Sequence, residues 1–188
     1  MPFDFEPTNI ADVKLVTTAR FHDSRGHFLE TCKEAAFRDQ GIDLRVIQVN
    51  ESLSSEKTVR GLHYQLDPHA QGKLVRVVRG AVLDVAVDVR AGSPTYGQHV
   101  AAELDEASGR MMWVPPGFAH GFCALEDDTH FLYMQTHQYE PDAEAGFHPC
   151  DPELGIDWPF PIAELLLSGR DAELPPLAQA RLNFEYAG

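Results

Sequence analysis

Basic residues are scarce in this chain of 188 residues, with 15 Lys and Arg against 29 Asp and Glu and a formal net charge of −14 at neutral pH. Binding to polymeric nucleic acid rests on neutralising phosphates, so that class of partner is excluded. Long hydrophobic runs are missing as well. No stretch approaches the roughly eighteen apolar residues of a membrane helix, and Met1-Pro2-Phe3-Asp4-Phe5-Glu6 lacks the basic start and apolar core of a secretory signal. No membrane partner and a cytoplasmic location are therefore expected. Cysteine is limited to Cys32, Cys123 and Cys150, which form neither an even disulfide framework nor a CxxC metal pattern. Repeats, low-complexity tracts and linkers are absent too, so residues 1–188 read as one domain, long enough to bury a core without staples.

What the chain does contain is short alternating runs of Val, Leu and aromatic residues, punctuated by Gly, Pro, Asp and Ser. The expected class is mainly β. Strands are predicted at Val13–Thr17, Gly26–Thr31, Leu44–Ser52, Val59–Gln65, Lys73–Arg79, Ala81–Val89, Gly97–Leu104, Arg110–Val114, His120–Ala124 and Thr129–Tyr139. Such closely spaced strands favour a sandwich or barrel. Helix signals are confined to Glu34–Gln40, closed by Gly41, and to turns within Asp171–Arg181 around Pro175-Pro176. Arg79-Gly80 reads as a tight hairpin turn.

Within these strands, several residues are ill suited to packing alone. RGLHYQ, Arg60 to Gln65, places an arginine and a histidine in a strand, and Lys73 shares a face with Val75 and Val77. Burying such groups is costly unless they are paired or used. Strict alternation puts His63 and Gln65 on one face and Arg60 on the other, but Gly61 marks a site for a bulge that re-aims a side chain. Gln48 and Asn50 share a face, which suits ligand hydrogen bonding. Leu83, Val85, Val87 and Val89 share another, sending Asp84 and Asp88 to the opposite side; either aspartate could orient a histidine, with Asp88 the one expected in solvent. Phe131 and Tyr133 would share a face with Gln135, His137 and Tyr139 in a regular strand.

PPGFAH (Pro115 to His120) resembles the second cupin motif, PxGxxH, which brings a histidine into a small jelly-roll barrel. Metal-dependent cupins carry an HxH pair earlier in the chain, whereas His63-Tyr64-Gln65 stands here, so no metal is expected. The further motifs DSRGHFLE (Asp23 to Glu30), QVNES (Gln48 to Ser52), RGLHYQ, AQGKLVRVVRG (Ala70 to Gly80), DVAVDVR (Asp84 to Arg90), SPTYGQ (Ser93 to Gln98), PPGFAHGF, FLY (Phe131 to Tyr133), DPELGIDWP (Asp151 to Pro159) and LSGRD (Leu167 to Asp171) resemble, in order and over almost the whole chain, the dTDP-4-dehydrorhamnose 3,5-epimerase family.

That resemblance implies a cupin-type jelly-roll barrel with a few short flanking helices, a dTDP-4-keto-6-deoxyhexose substrate, no cofactor, and a homodimer. It also implies roles: His63 as general base, Asp171 as its dyad partner, Tyr133 as the opposing acid, and Lys73 as the cation beside the enolate. Arg60 and His120 are implied near the sugar, with Arg25, Glu30, Gln48, Asn50, Glu144 and Arg170 in nucleotide or sugar binding. Arg170 stands where many members have lysine. Met134, Gln135 and His148-Pro149-Cys150 resemble relatives from antibiotic-sugar pathways, so inversion at C3, at C5 or at both stays open at this stage. For the dimer, a segment with Val13, Leu15 and Val16 is expected to add a strand to a partner sheet.

Overall fold

Strands rich in β-branched and aromatic residues assemble into two antiparallel sheets that face each other, and the space between them holds the main core. The computed structural model describes residues 3–187; Met1 and Pro2, which begin the stretch read for a secretory signal, and Gly188 lie outside them. In chain order the strands are β1 (Phe3–Pro7), β2 (Lys14–Thr18), β3 (Arg20–Asp23), β4 (Gly26–Leu29), β5 (Gln48–Ser54), β6 (Val59–Gln65), β7 (Lys73–Arg79), β8 (Ala81–Asp88), β9 (His99–Asp105), β10 (Met111–Val114), β11 (Phe118–Ala124), β12 (Thr129–Gln135) and β13 (Glu144–Gly146). Two short helices, α1 (Glu34–Arg38) and α2 (Gly169–Ala172), flank them. One sheet runs β1-β2-β10-β7-β12-β5, the other β13-β6-β11-β8-β9, and β3-β4 form a separate hairpin. This is the jelly-roll arrangement the motifs implied.

Alternation decides which side chains meet in the middle. Val75, Val77, Met112, Val114 and Phe131 from the first sheet pack against Val82, Ala86, Val100, Leu104, Phe118 and Phe122 from the second. Phe122 and Phe131 stack across the gap with centroids 4.4 Å apart, and burial of each such side chain stabilises the fold by about 1.5–3 kcal/mol. The outer faces are covered locally. Phe37 of α1 joins Leu74, Met111, Trp113 and Met134 on the first sheet, and Leu177 and Phe184 near the C-terminus cover Leu62, Val85 and Val87 on the second.

Several expectations need correction. Arg79-Gly80 is not a hairpin turn: β7 pairs with β10 and β12 while β8 pairs with β9 and β11, so the chain crosses between sheets there. Gly80 makes this possible with φ of +83° and no room for a Cβ beside Thr129. Leu15 lies in β2, both of whose edges are paired within the chain, with β1 and β10. The strand predicted from Leu44 starts at Gln48, since Leu44 is drawn into the apolar cluster under α1. The strand predicted to Tyr139 stops at Gln135, where its ladder partner β7 begins at Lys73. Asp88 is fully buried rather than solvated and accepts hydrogen bonds from Arg90, Ser93 and Thr95. Pattern reading did not anticipate β1, β3 and β13, which are short.

Candidate active site

A cavity of about 940 Å³ opens between the ends of the two sheets, within the usual ~300–1,000 Å³ of small-molecule sites. His63, Lys73, Tyr133 and Asp171 all line it, as do Asn50, Arg60, Glu144 and Arg170. They arrive from β6, β7, β12, α2, β5 and β13, so no single segment forms the site. Base and acid candidates come from facing walls, His63 from the second sheet and Tyr133 from the first.

The position of Arg60 depends on an irregularity in β6. His120 pairs with His63 and Phe122 with Arg60, so three steps along β6 match two along β11. This bulge puts Arg60 and His63 on the same side, where alternation alone would have separated them. Gly61 is required there: with φ of +121°, a Cβ would lie 2.6 Å from the Gly121 Cα. Arg60 is then held by Ser54 Oγ at 3.1 Å and the Leu53 carbonyl at 3.0 Å.

His63 Nε2–H donates to Asp171 Oδ1 at 2.7 Å, which leaves Nδ1 as the basic nitrogen of the ring. Burial alone would push the Asp171 carboxyl up, but the bond and charge of His63, the Ser168 hydroxyl and the Gly61 N–H outweigh it and hold Asp171 below the usual carboxylate range. An ionised partner stabilises the imidazolium that forms when His63 takes a proton. Lys73 is buried and its Nζ donates to the His63 carbonyl at 3.2 Å. Desolvation draws its pKa down to about 8, against the opposing charges of Asp84 and Glu144. It is still mostly an ammonium at neutral pH. Tyr133 is pushed up to about 12 by burial, with the Ser52 hydroxyl (3.4 Å away) and Arg60 pulling the other way, so the phenol is a proton donor at working pH.

Among the binding residues expected from sequence, Asn50 joins a chain of amides, accepting from Gln48 Nε2 at 3.0 Å and donating to Gln135 Oε1 at 3.1 Å. Gln48 itself stands behind the lining and accepts from the Tyr139 N–H. Glu144 pairs with Arg170 at 2.7 Å and accepts from the Tyr139 hydroxyl. Against burial, these two donors keep the Glu144 carboxyl below its usual range. Besides Gln48, three expected residues are not on the cavity surface. His120 is only 3% exposed, beneath the floor, with Nε2–H donating to Asp84 Oδ1 at 2.8 Å and its ring edge-on to Tyr133. Arg25, its side chain 88% exposed and paired with Asp23, and Glu30 lie at the β3-β4 hairpin, away from the cavity. Gln65 spends its amide on the His69 and Gln138 carbonyls and the Glu140 N–H. Among the described residues, no three of His, Cys, Asp and Glu group as a metal site would need.

The sequence matches the family model described as dTDP-4-dehydrorhamnose 3,5-epimerase over residues 7–179. The chain belongs to that family. A dTDP-4-dehydrorhamnose 3,5-epimerase of Sinorhizobium fredii is 48% identical over 97% of this chain and 93% of its own length. By fold, the chain superposes with a TM-score of 0.94, at 39% identity and covering 99% of this chain and 100% of the other, on a dTDP-6-deoxy-D-glucose-3,5-epimerase of Legionella pneumophila solved with dTDP-4-keto-L-rhamnose. A 3'-monoepimerase of Streptomyces bikiniensis solved with dTDP-quinovose is also similar, at TM-score 0.86 and 38% identity over 92% of this chain and 87% of that one.

Membership of the epimerase family does not exhaust what lines the cavity. Ser52, Gln71, Gln135, Tyr139 and Ser168 also line it and were given no role from sequence. For Ser168 a signal existed: Ser168-x-x-Asp171 is a helix-capping pattern, and Ser168 Oγ accepts from the Asp171 N–H at 3.0 Å. It therefore orients the residue that carries the dyad carboxylate. Tyr139 had no such signal, because it follows the end of β12 and its place depends on the chain's path beyond the ladder.

Proposed function

We propose that the chain, acting as one domain, is a cofactor-independent 3,5-epimerase that converts dTDP-4-keto-6-deoxy-D-glucose into dTDP-4-keto-L-rhamnose. The observation that carries the reading is the grouping, around one cavity, of a histidine with its carboxylate, a buried ammonium, and a neutral phenol on the facing wall. A C–H beside a ketone is a weak acid. His63 takes that proton; the C–H electron pair becomes the enolate, with its charge on the C4 oxygen, and the Lys73 ammonium stabilises that oxyanion. Tyr133 then returns a proton from the opposite face, leaving an imidazolium and a phenolate that reset by exchange with water. The existing ketone accepts the electron pair, so no redox group is needed. Arg60 and Arg170 offer planar guanidinium groups suited to paired phosphate oxygens, and Asn50, oriented from behind by Gln48, offers an amide to the sugar or base.

Proton exchange tests this reading directly. Turnover in deuterated water should place deuterium at both C3 and C5 of the product. Incorporation at one carbon would reassign the enzyme as a mono-epimerase, and incorporation at neither would sink the proposal.

We also place the chain in a homodimer in the cytoplasm. Supporting the dimer is one face of the edge strand β5 and the residue before it, where Ile47, Val49 and Leu53 are 54%, 55% and 56% exposed on either side of Glu51. In support of the location, all three cysteines are free thiols. No described helix is long and apolar enough to cross a membrane.

A further inference from the structure

Beneath the cavity lies a buried charge that the mechanism above does not use. Asp84 on β8 is fully buried, and its face of the strand, shared with Val82 and Ala86, points into the same interior as Lys73, Val75 and Val77 from the opposite sheet. One carboxylate oxygen accepts from His120 at 2.8 Å. The other, Oδ2, is buried without a hydrogen-bond partner among the described residues. A carboxylate in that position is costly unless opposite charge offsets it. Burial raises the Asp84 carboxyl, and the hydrogen bond from His120 and the nearby Lys73 ammonium offset this only in part.

We propose that Asp84 is a positioning residue of the active site, a buried carboxylate that keeps Lys73 charged while fixing the ring of His120 beneath the reacting ketone. The inference rests on the role given to Lys73 above.

The groups around Lys73 favour this assignment. Arg60 and His63 face it from β6, His120 from β11, Tyr133 from β12, Glu144 from β13 and Asp171 from α2, while β9 and β10 present apolar Val100, Ala102, Leu104, Met112 and Val114. Of the other carboxylates around the cavity, Asp171 is engaged with His63, Glu51 of β5 with His130, and Glu144 with Arg170 and Tyr139. Asp84 is the one with a buried oxygen that has no hydrogen-bond partner among the described residues, and its charge is the largest favourable influence on Lys73. A lysine stripped of that charge in a dry interior would lose its proton near neutrality and could no longer stabilise an oxyanion.

The chain has only four lysines, Lys14, Lys33, Lys57 and Lys73, so carbon-13 labelling of lysine side chains lets Lys73 be followed by NMR in the full-length protein, assigned by its absence from Lys73→Arg. Its titration midpoint should lie near the value of about 8 given by its surroundings and fall by roughly one to two pH units in Asp84→Asn. The alkaline limb of kcat/KM should move by the same amount. Arginine holds its proton without help, so adding Asp84→Asn to Lys73→Arg should leave the limb of that variant where it was. An unmoved Lys73 midpoint in folded Asp84→Asn, with activity lowered equally at every pH, would overturn the inference and leave Asp84 a structural residue. If Asp84→Asn does not fold, His120→Asn decides: the carboxylate remains, so the Lys73 midpoint should hold or rise, and a fall would overturn the proposal. Failure of the underlying reading would be seen separately, as full activity in Lys73→Gln, whereas the NMR midpoints do not depend on turnover.

Discussion

Tyr133 and His63 stand on facing walls of one cavity, and that opposition is what an inversion needs at the level of single residues. In Tyr133→Phe, net epimerisation should fall at least about a hundredfold. Deuterium exchange at the same carbons should persist, because His63 can return a proton to the face it came from. Exchange and epimerisation lost in step would count against Tyr133 as the opposing acid; retention of both would do so equally. At this scale the sequence was informative wherever a charged side chain sat in an apolar strand. Lys73 and His63 could be picked out because burial of either has a cost that only pairing or use explains. Arg25 and Glu30 had no such mark, resting on the resemblance alone, and they lie away from the cavity in the chain.

Among the elements, the existence of most strands followed from alternation, the short β1, β3 and β13 excepted, but strand ends and partners depended on the ladder. Thr129 to Tyr139 alternates well, yet β12 ends where β7 begins. Gly61 and Gly80 were both visible as breaks, and their meanings differ, one a bulge within a sheet and the other a crossing between sheets. The loop after β8 is pinned by Asp88, which takes bonds from the Arg90 backbone and guanidinium and from the Ser93 and Thr95 hydroxyls. Burial opposes ionisation, but these donors outweigh it and hold the Asp88 pKa down to about 2. Since the folded value lies below the unfolded one, the stabilisation is full above about pH 4 and is lost as pH falls through 2, with a size of about 2 kcal/mol. Urea unfolding from pH 6 to pH 2 should show the protein losing that much more stability than Asp88→Asn. Parallel curves for the two would refute the assignment.

For the whole molecule, the two sheets bury each other's inner faces, while one face of β5 keeps a row of Ile47, Val49 and Leu53, interrupted by Glu51, facing solvent. A second copy covering that row is the reason to expect a dimer. Leu53→Glu should then move the sedimentation coefficient from dimer to monomer at micromolar concentration, because an unpaired carboxylate in an apolar contact is strongly disfavoured. An unchanged dimer would show that the contact lies elsewhere, and a wild-type monomer would remove the dimer altogether. The segment around Leu15 was the other candidate for this contact, and the pairing of both β2 edges within the chain favours β5 over it.

The mainly β class, the ordered motifs and the suspicion attached to His63, Lys73 and the aspartates could be read from the chain, because alternation and the cost of burying charge are local properties of residue order. Which sheet each strand joined could not, since hydrogen-bond ladders form between segments far apart and either neighbour satisfies the same pattern. Nor could the pairing of His63 with Asp171, or of His120 with Asp84, be read that way. Those contacts bridge residues 108 and 36 positions apart and exist only because the two sheets close on one cavity. The tertiary structure thus decided which suspicious residues work together, and the burial it imposes set the protonation states that make the chemistry possible.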